Sequence, residues 1–302
     1  MKEIKVALLA GGCSAEREVS LKGAEAVKKA LAARGFPYVF FDPAEDLPRL
    51  AAQAQDFDVA FLVLHGPGGE DGTIQGFLDS LGLRYQGAGV LGSALAMDKV
   101  LAKVLYQRAG LPVPQGVEWR KGAPLPRLES FPVVVKPASQ GSSVGMSLVS
   151  GPEALEEALD LASRFEARVL IEEYVSGREL TVGILGEEAL PVVEIIPGEG
   201  HTFFDYEAKY TPGLTEEICP AEIPEEVAAK AQEYALRAHE ALRLRHYSRT
   251  DFIWNEKGIF VLETNTIPGM TETSLLPLAA RVAGYTFEDL VEKLLELALT
   301  TP

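Results

Sequence analysis

Only two cysteines, Cys13 and Cys219, occur in 302 residues. That count excludes a disulfide framework and a thiolate metal cluster, and leaves two free thiols as the expectation. The four histidines show no metal-binding spacing, so a histidine-built centre is excluded as well. No apolar run nears the roughly 20 residues of a membrane span. The first such run, Val6 to Ala10, stops at Gly11-Gly12 without a signal-peptide pattern, so a cytoplasmic protein with no membrane insertion is expected. Positive charge is scarce too: 28 Lys+Arg against 44 Asp+Glu give a net charge of −16. Such a chain is a poor unspecific binder of nucleic acid or anionic lipid, although a local cluster of Lys and Arg can still hold a small anion. Solenoid repeats and long heptad runs are missing. What is present is ordinary globular material, 47% hydrophobic and 24% charged. The length is twice a usual domain of about 150 residues, so two or three compact units are expected.

The first hundred residues alternate strand and helix: strand Val6 to Ala10, helix Ser20 to Arg34, strand Tyr38 to Phe41, helix Leu47 to Ala54 and strand Val59 to Leu64. The unbroken apolar strands suit a parallel sheet covered on both faces. Gly11-Gly12 and Gly66-Pro67-Gly68-Gly69 follow two of them, at the carboxyl edge where open α/β sheets bind ligands. A helix from Ala94 to Ala109 leads into a Pro/Gly/Arg-rich passage through Leu128 that reads as a domain crossing. Beyond it the pattern predicts a strand at Val133 to Lys136, a helix from Pro152 to Ala162, and Val169 to Glu173 paired with Glu179 to Ile184. The last third predicts a strand at Val192 to Ile196, a helix from Glu225 to Leu242, a strand pair Arg249 to Trp254 and Gly258 to Glu263, and a helix from Thr286 to Leu297.

Two segments carry the strongest chemical signal. Lys136 ends a β-branched strand and opens the loop Pro137 to Met146, rich in Ser and Gly, whose backbone N–H groups can wrap a phosphate while the lysine neutralises it. The order of residues is not that of a Walker A loop; the competing reading is a plain strand-end loop with Lys136 in solvent. In the second segment, Asn255 to Gly258 reads as a hairpin turn, which returns Glu263 beside Asp251 with Asn265 nearby. Two carboxylates and an amide oxygen are hard ligands that Mg²⁺ accepts together with nucleotide phosphates. Weaker signals are Glu172, Glu173 and Glu179 at strand ends, Glu16 at the start of a helix, and His65, the best placed histidine beside His201, His239 and His246.

Taken as a group, these residues resemble the D-alanine–D-alanine ligases of the ATP-grasp superfamily. The matching blocks are Gly11 to Ser20, His65-Gly66, Gly87 to Leu91, Met97-Asp98-Lys99, Lys136 to Met146, Phe204 to Tyr210 and Glu263 to Thr271, colinear over almost the whole chain. The resemblance implies an α/β, three-domain ATP-grasp fold: an N-terminal open parallel-sheet substrate domain (1–96), and a central (97–184) and a C-terminal domain (185–302) that clasp ATP. It implies ATP contacts from Lys99, Lys136, Ser143, Glu172, Glu173, Val175, Glu179 and Lys209. Asp251, Glu263 and Asn265 would bind two Mg²⁺, replaceable by Mn²⁺. Glu16 would take the first D-alanine's ammonium group, with His65 in the same substrate site; Arg249 and Gly269 would hold the tetrahedral intermediate, and Ser274 and Leu275 the second carboxylate. Tyr210, on a mobile loop, would link through Ser142 to Glu16.

The implied reaction forms an acylphosphate from D-alanine and ATP and then the dipeptide D-alanyl-D-alanine, a peptidoglycan precursor. The implied assembly is a homodimer. The cleft is expected to be locally positive through Lys99, Lys136, Arg249 and bound Mg²⁺, and Cys13 to pack beside it. Cys13 stands where many relatives carry a small hydroxyl residue, and Glu173 where others carry lysine. Tyr210 favours the dipeptide-forming members over those that make D-alanyl-D-lactate. Another ATP-grasp carboxylate–amine ligase and a non-enzymatic nucleotide-binding module are the alternatives.

Overall fold

The computed structural model describes residues 4–198, 215–271 and 273–300. Strands β1 (Val6–Ala10), β2 (Tyr38–Phe41) and β3 (Val59–Val63) form a parallel sheet in the order β2-β1-β3. Alternate residues of β1 enter different cores, as the period of two requires. Val6, Leu8 and Ala10 pack with the helices Arg17–Ala33 and Phe287–Thr300, whereas Ala7 and Leu9 pack with Leu50, Ile74 and Leu78. Both faces are therefore covered, which fixes the carboxyl edge of the sheet as its open side.

A second, antiparallel sheet contains β4 (Gly116–Arg120), β5 (Val133–Pro137), β6 (Ser147–Val149) and β7 (Arg168–Glu173), in the order β4-β7-β5-β6. Helix Leu155–Ala162 seals one of its faces. The third sheet is built from β8 (Arg178–Leu185), β9 (Glu188–Ala189), β10 (Val193–Pro197), β11 (Thr215–Ile218), β12 (Tyr247–Asn255) and β13 (Gly258–Asn265). Its order is β11-β10-β8-β12-β13, with β9 beside β8. Helix Glu225–Ala241 packs on it through Ala231, Ala235 and Ala238.

Several expectations need correction. The strands over 169–173 and 179–184 do not pair: β7 stays with β4 and β5, while β8 joins β10 and β12. Tyr174 to Gly177 therefore cross between sheets rather than turn, and they cross tightly. A Cβ at position 177 would run into the Trp254 carbonyl oxygen, so glycine is needed there. The single helix over 94–109 is two, Val90–Met97 and Lys99–Arg108, divided at Asp98. Asp98 is extended and accepts the Val100 and Leu101 N–H groups at 3.1 Å, a cap that starts a new helix. The Pro/Gly-rich passage holds β4, an edge strand anchored by buried Trp119. Helices Thr73–Leu81 and Leu275–Val282 had no expectation. Cys13 and Cys219 are free, but Cys13 is exposed rather than packed. No helix among the described residues is long and apolar enough to cross a membrane.

His239 and His246 lie buried beside the start of β12 in the third sheet. His246 Nδ1 accepts the Gly87 N–H at 3.0 Å, and His239 Nδ1 faces Ser248 Oγ at 2.8 Å. Burial pushes both down to about 4; for His246, Arg245 and His239 add to the effect. The unfolded chain therefore binds protons first, so these groups stabilise the fold fully above pH 6.5, and that stability is lost as pH falls toward 4. The melting temperature is expected to drop between pH 6.5 and 4.5 by calorimetry, and the drop to shrink in His239→Gln/His246→Gln; an equal drop in the double variant would refute the assignment.

Candidate functional site

The three sheets converge on one cleft, and the hairpin of the third sheet supplies its charged floor. In the register, Asp251 faces Glu263 and Arg249 faces Asn265, with Asp251 also opposite Thr181 on β8. Arg249 grips Asp251 with both ends of its fork, Nε to Oδ1 and Nη2 to Oδ2, each at 2.9 Å. Thr181 Oγ1 donates to Asp251 Oδ1 at 2.6 Å, and Asn265 Nδ2 to Oδ2 at 3.1 Å. Lys99, at the start of its helix, sits 3.4 Å from Glu263 and donates to the Gln140 carbonyl at 2.7 Å.

Between the second and third sheets the cleft holds about 920 Å³, counting its open mouth, and is lined by Pro114, Val134, Val175, Ile253 and Leu262 among the apolar groups. Lys99, Lys136, Ser142, Ser143, Glu172, Glu173, Glu179, Asp251 and Glu263 line it as well. A slot of apolar walls with a few polar groups suits a flat, partly polar ligand. Lys136 Nζ lies 2.5 Å from Glu172 Oε1, and Lys103 Nζ 2.7 Å from Oε2. Burial works against all three charges. For Lys136 the neighbours Glu172 and Glu263 win, so its pKa is raised; for Glu172 the two lysines win, so it is lowered. For Lys103 burial wins, and its pKa is lowered although Glu172 pulls it back up.

The loop from β5 to β6 carries Ser142 and Ser143 at φ 50 and 58, the left-handed region that costs non-glycine residues about 1 kcal/mol each. This strained turn lets Ser142 Oγ donate to Glu16 Oε1, so the loop touches the first layer. Glu16 caps the helix Arg17–Ala33 without a side-chain bond to it, and its carboxylate is turned into the cleft against Gly66 and Gly141. Gly11 and Gly12, at φ 94 and 77, bring the chain there. Asp42 holds that turn: it accepts the Gly12 N–H at 2.9 Å and pairs with Arg17 at 2.5 Å.

Around Glu16 stand His65 and Glu70. Burial lowers His65 despite the pull of Glu16, and its Nε2 has no hydrogen-bond partner. Burial first, and then Glu16, pushes Glu70 up to about 8, although it accepts the Gly66 N–H at 2.8 Å. Farther along, Ser274 Oγ accepts the Thr271 N–H at 3.0 Å and lies where a Cβ on Gly269 would touch it. Ser274 and Leu275 open the helix Leu275–Val282, an N-terminus suited to a carboxylate beside such a cluster.

The structure thus gathers Glu16, His65, Ser142, Ser143, Lys99, Lys136, Glu172, Glu173, Val175, Glu179, Arg249, Asp251, Glu263 and Asn265 around the cleft. Lys209, Tyr210, the rest of Phe204 to Tyr210, and His201 lie outside the described residues. Sequence reasoning missed Glu70, Asp42 and Lys103. Lys103 had a legible signal, since Lys99, Ala102, Lys103 and Tyr106 make one buried helical stripe containing two lysines. No group of three or more His, Cys, Asp and Glu side chains gathers among the described residues to hold a metal alone.

Comparison with known proteins gives a consistent match. The family described as "D-ala D-ala ligase C-terminus" matches residues 107–296, and "D-ala D-ala ligase N-terminus" matches 41–88. The D-alanine–D-alanine ligase of Syntrophobacter fumaroxidans is 55% identical, over 99% of this chain and 98% of the relative. That of Desulfotalea psychrophila is 52% identical over 99% and 96%. Among solved structures, D-alanine–D-alanine ligase from Bacillus anthracis complexed with ATP superposes with a TM-score of 0.86 at 31% identity, covering 98% of this chain and 97% of that one. A second structure of the Bacillus anthracis ligase gives 0.88 at 35% identity, with the same coverage.

Proposed function

The chain belongs to the D-alanine–D-alanine ligase family, with its ATP-grasp α/β fold, and on that premise we propose how its cleft joins two D-alanine molecules at the expense of ATP. The observation that carries the reading is the Ser142–Glu16 hydrogen bond, which ties the Ser/Gly loop of the nucleotide cleft to the acid of the first layer. An amino acid whose ammonium lies on Glu16 therefore has its carboxylate within the region swept by a phosphate on that loop.

In this reading ATP lies in the slot, its base against Glu172, Glu173, Val175 and Glu179 and its phosphates on Lys99, Lys136 and Ser143. Asp251, Glu263 and Asn265 would hold Mg²⁺, two ions in all and replaceable by Mn²⁺; when bound, the metal neutralises charge on the phosphate oxygens. The donor set fits, being all oxygen, and Asp251 is already held by Arg249, Thr181 and Asn265. A carboxylate oxygen of the first D-alanine attacks the γ-phosphorus, and the bond to ADP breaks. Arg249 and Lys136 face the charge that gathers on the transferring group. The second D-alanine, its carboxylate at Ser274 and Leu275, then attacks the acyl carbon through its amine. Phosphate leaves, the amine loses a proton, and Arg249 with the Gly269 backbone holds the tetrahedral oxygen. His65, kept neutral by burial, lies on the side of Glu16 and can accept a proton at Nε2. Closure of Tyr210 over Ser142 would keep water from the acylphosphate.

We place this reaction in the cytoplasm. Two copies of the chain would associate through the exposed Leu91, Leu101 and Val104, which sedimentation at micromolar concentration tests. The assignment itself is tested with purified protein, ATP, Mg²⁺ and D-alanine: ADP, phosphate and D-alanyl-D-alanine are expected in equal amounts, with activity lost on chelation and restored by Mg²⁺ or Mn²⁺. Turnover with a different amino acid and none with D-alanine would overturn it.

A further inference from the structure

Lys103 is the most deeply buried cation of the cleft and has no part in the scheme above. It is 6% exposed, one helical turn after Lys99 on the same buried stripe, and its ammonium is committed to the far oxygen of Glu172 at 2.7 Å. Glu172 is itself only 3% exposed and divides its two oxygens between Lys136 and Lys103. The two lysines stand differently toward the cleft: Lys136 lines it, whereas Lys103 does not and sits behind the carboxylate.

A buried carboxylate needs a counter-charge to remain ionised. On the proposed reading Lys136 also serves the phosphates, so when nucleotide binds its charge is shared. Lys103 then becomes the partner that Glu172 keeps. The protonation state of Glu172 matters at the base edge, because an ionised carboxylate only accepts hydrogen bonds while a carboxylic acid can also donate one. An acceptor matches the exocyclic amino group of adenine and repels the 6-oxo group of hypoxanthine or guanine. A neutral Glu172 would lose that discrimination.

We propose that Lys103 is a positioning residue for nucleotide choice, holding Glu172 as a permanent acceptor so that the cleft takes a 6-amino purine and rejects a 6-oxo purine. The inference rests on the reading of this cleft as the ATP site. It concerns the second layer of charge behind the base, and no substrate touches Lys103 in it.

The test compares ATP with inosine triphosphate in wild type, Lys103→Met, Glu172→Gln and the double variant, measuring kcat/KM for each nucleotide, KM for D-alanine and the melting temperature. Wild type is expected to prefer ATP. In Lys103→Met the preference should fall by about tenfold or more, the usual worth of a charged hydrogen-bond partner, while KM for D-alanine moves less than about twofold, as for a residue remote from the amino acids. The double variant removes both members of the Lys103–Glu172 pair together, so it keeps the test open should Lys103→Met fail to fold, and its nucleotide preference should match that of Glu172→Gln alone. An unchanged nucleotide preference in Lys103→Met, or a preference in the double variant that differs from Glu172→Gln, would overturn the role of Lys103. Wild type that uses neither nucleotide would instead overturn the ATP-site reading, and this inference with it.

Discussion

Replacing Arg249 with methionine is expected to lower kcat by about a thousandfold, while KM for ATP moves only a few-fold. The side chain is 12% exposed, and its fork is fixed by both oxygens of Asp251. A guanidinium so held needs no reorganisation when charge develops on the transferring phosphoryl group, which is why the loss falls on kcat. The variant also strips Asp251 of its ion-pair partner. Thr181 and Asn265 still donate to that carboxylate, so the cost to stability should stay below the roughly 3–5 kcal/mol of a fully broken buried pair. Arg249→Lys keeps the charge but loses the two-point grip, and should fall between the two. Steady-state kinetics with a melting curve for each variant decide the matter. A kcat within about tenfold of wild type for a folded Arg249→Met would remove Arg249 from the chemistry.

Arg249 also shows how the cleft manages charge. A locally positive cleft was expected from Lys99, Lys136, Arg249 and bound Mg²⁺. The protein alone pairs each of these cations with an acid: Lys99 with Glu263, Lys136 with Glu172, Arg249 with Asp251. The net charge of −16 is thus not reversed locally by side chains. A polyphosphate has to arrive with its own cations, and two of these paired acids, Glu263 and Asp251, are the ligands proposed for them.

How far the sequence revealed this depended on whether the deciding contact was local. β1 and β2 have the ends expected of them, because an apolar run flanked by glycine or proline is a local signal. The Glu256-Lys257 turn sets Asn255 opposite Gly258 and Phe252 opposite Val261, as the hairpin reading requires; Asp251 meets Glu263 directly only through a bulge between Asp251 and Phe252, which nothing local in the sequence marks. The pairing of β7 with β8 failed for the same reason. Four residues between two apolar strands look like a hairpin loop, and only the close pass of Gly177 over Trp254 shows that the chain changes sheets. Glu70 was invisible because nothing beside it marks a half-buried acid; its neighbours Glu16 and Ile267 come from distant parts of the chain. Family resemblance supplied roles for Ser274 and Gly269 that composition could not, since their contact depends on the turn before the helix Leu275–Val282.

Glu70 leads to the second large effect, a pH dependence of both stability and substrate binding. Its carboxyl is raised from 4.5 to about 8, by burial and then by Glu16. Between those values the folded chain holds a proton that the unfolded chain has lost, so stability falls as pH rises through this window and levels off above it, by at most about 5 kcal/mol. Glu70→Gln cannot ionise. It should melt at a nearly constant temperature from pH 5 to 8 as far as this site is concerned, and above wild type at pH 8. Substrate acts in the other direction. An ammonium group entering beside Glu16 and Glu70 favours the ionised carboxyl, so D-alanine binding should expel a proton and tighten as pH rises from 6 to 8, by up to about tenfold per unit. Calorimetry of D-alanine binding in buffers of different ionisation enthalpy should therefore show proton release for wild type and none for Glu70→Gln, whose KM should be higher at pH 8 and flat with pH. The same pH slope in wild type and variant would assign the proton to another group, with His65 the next to test.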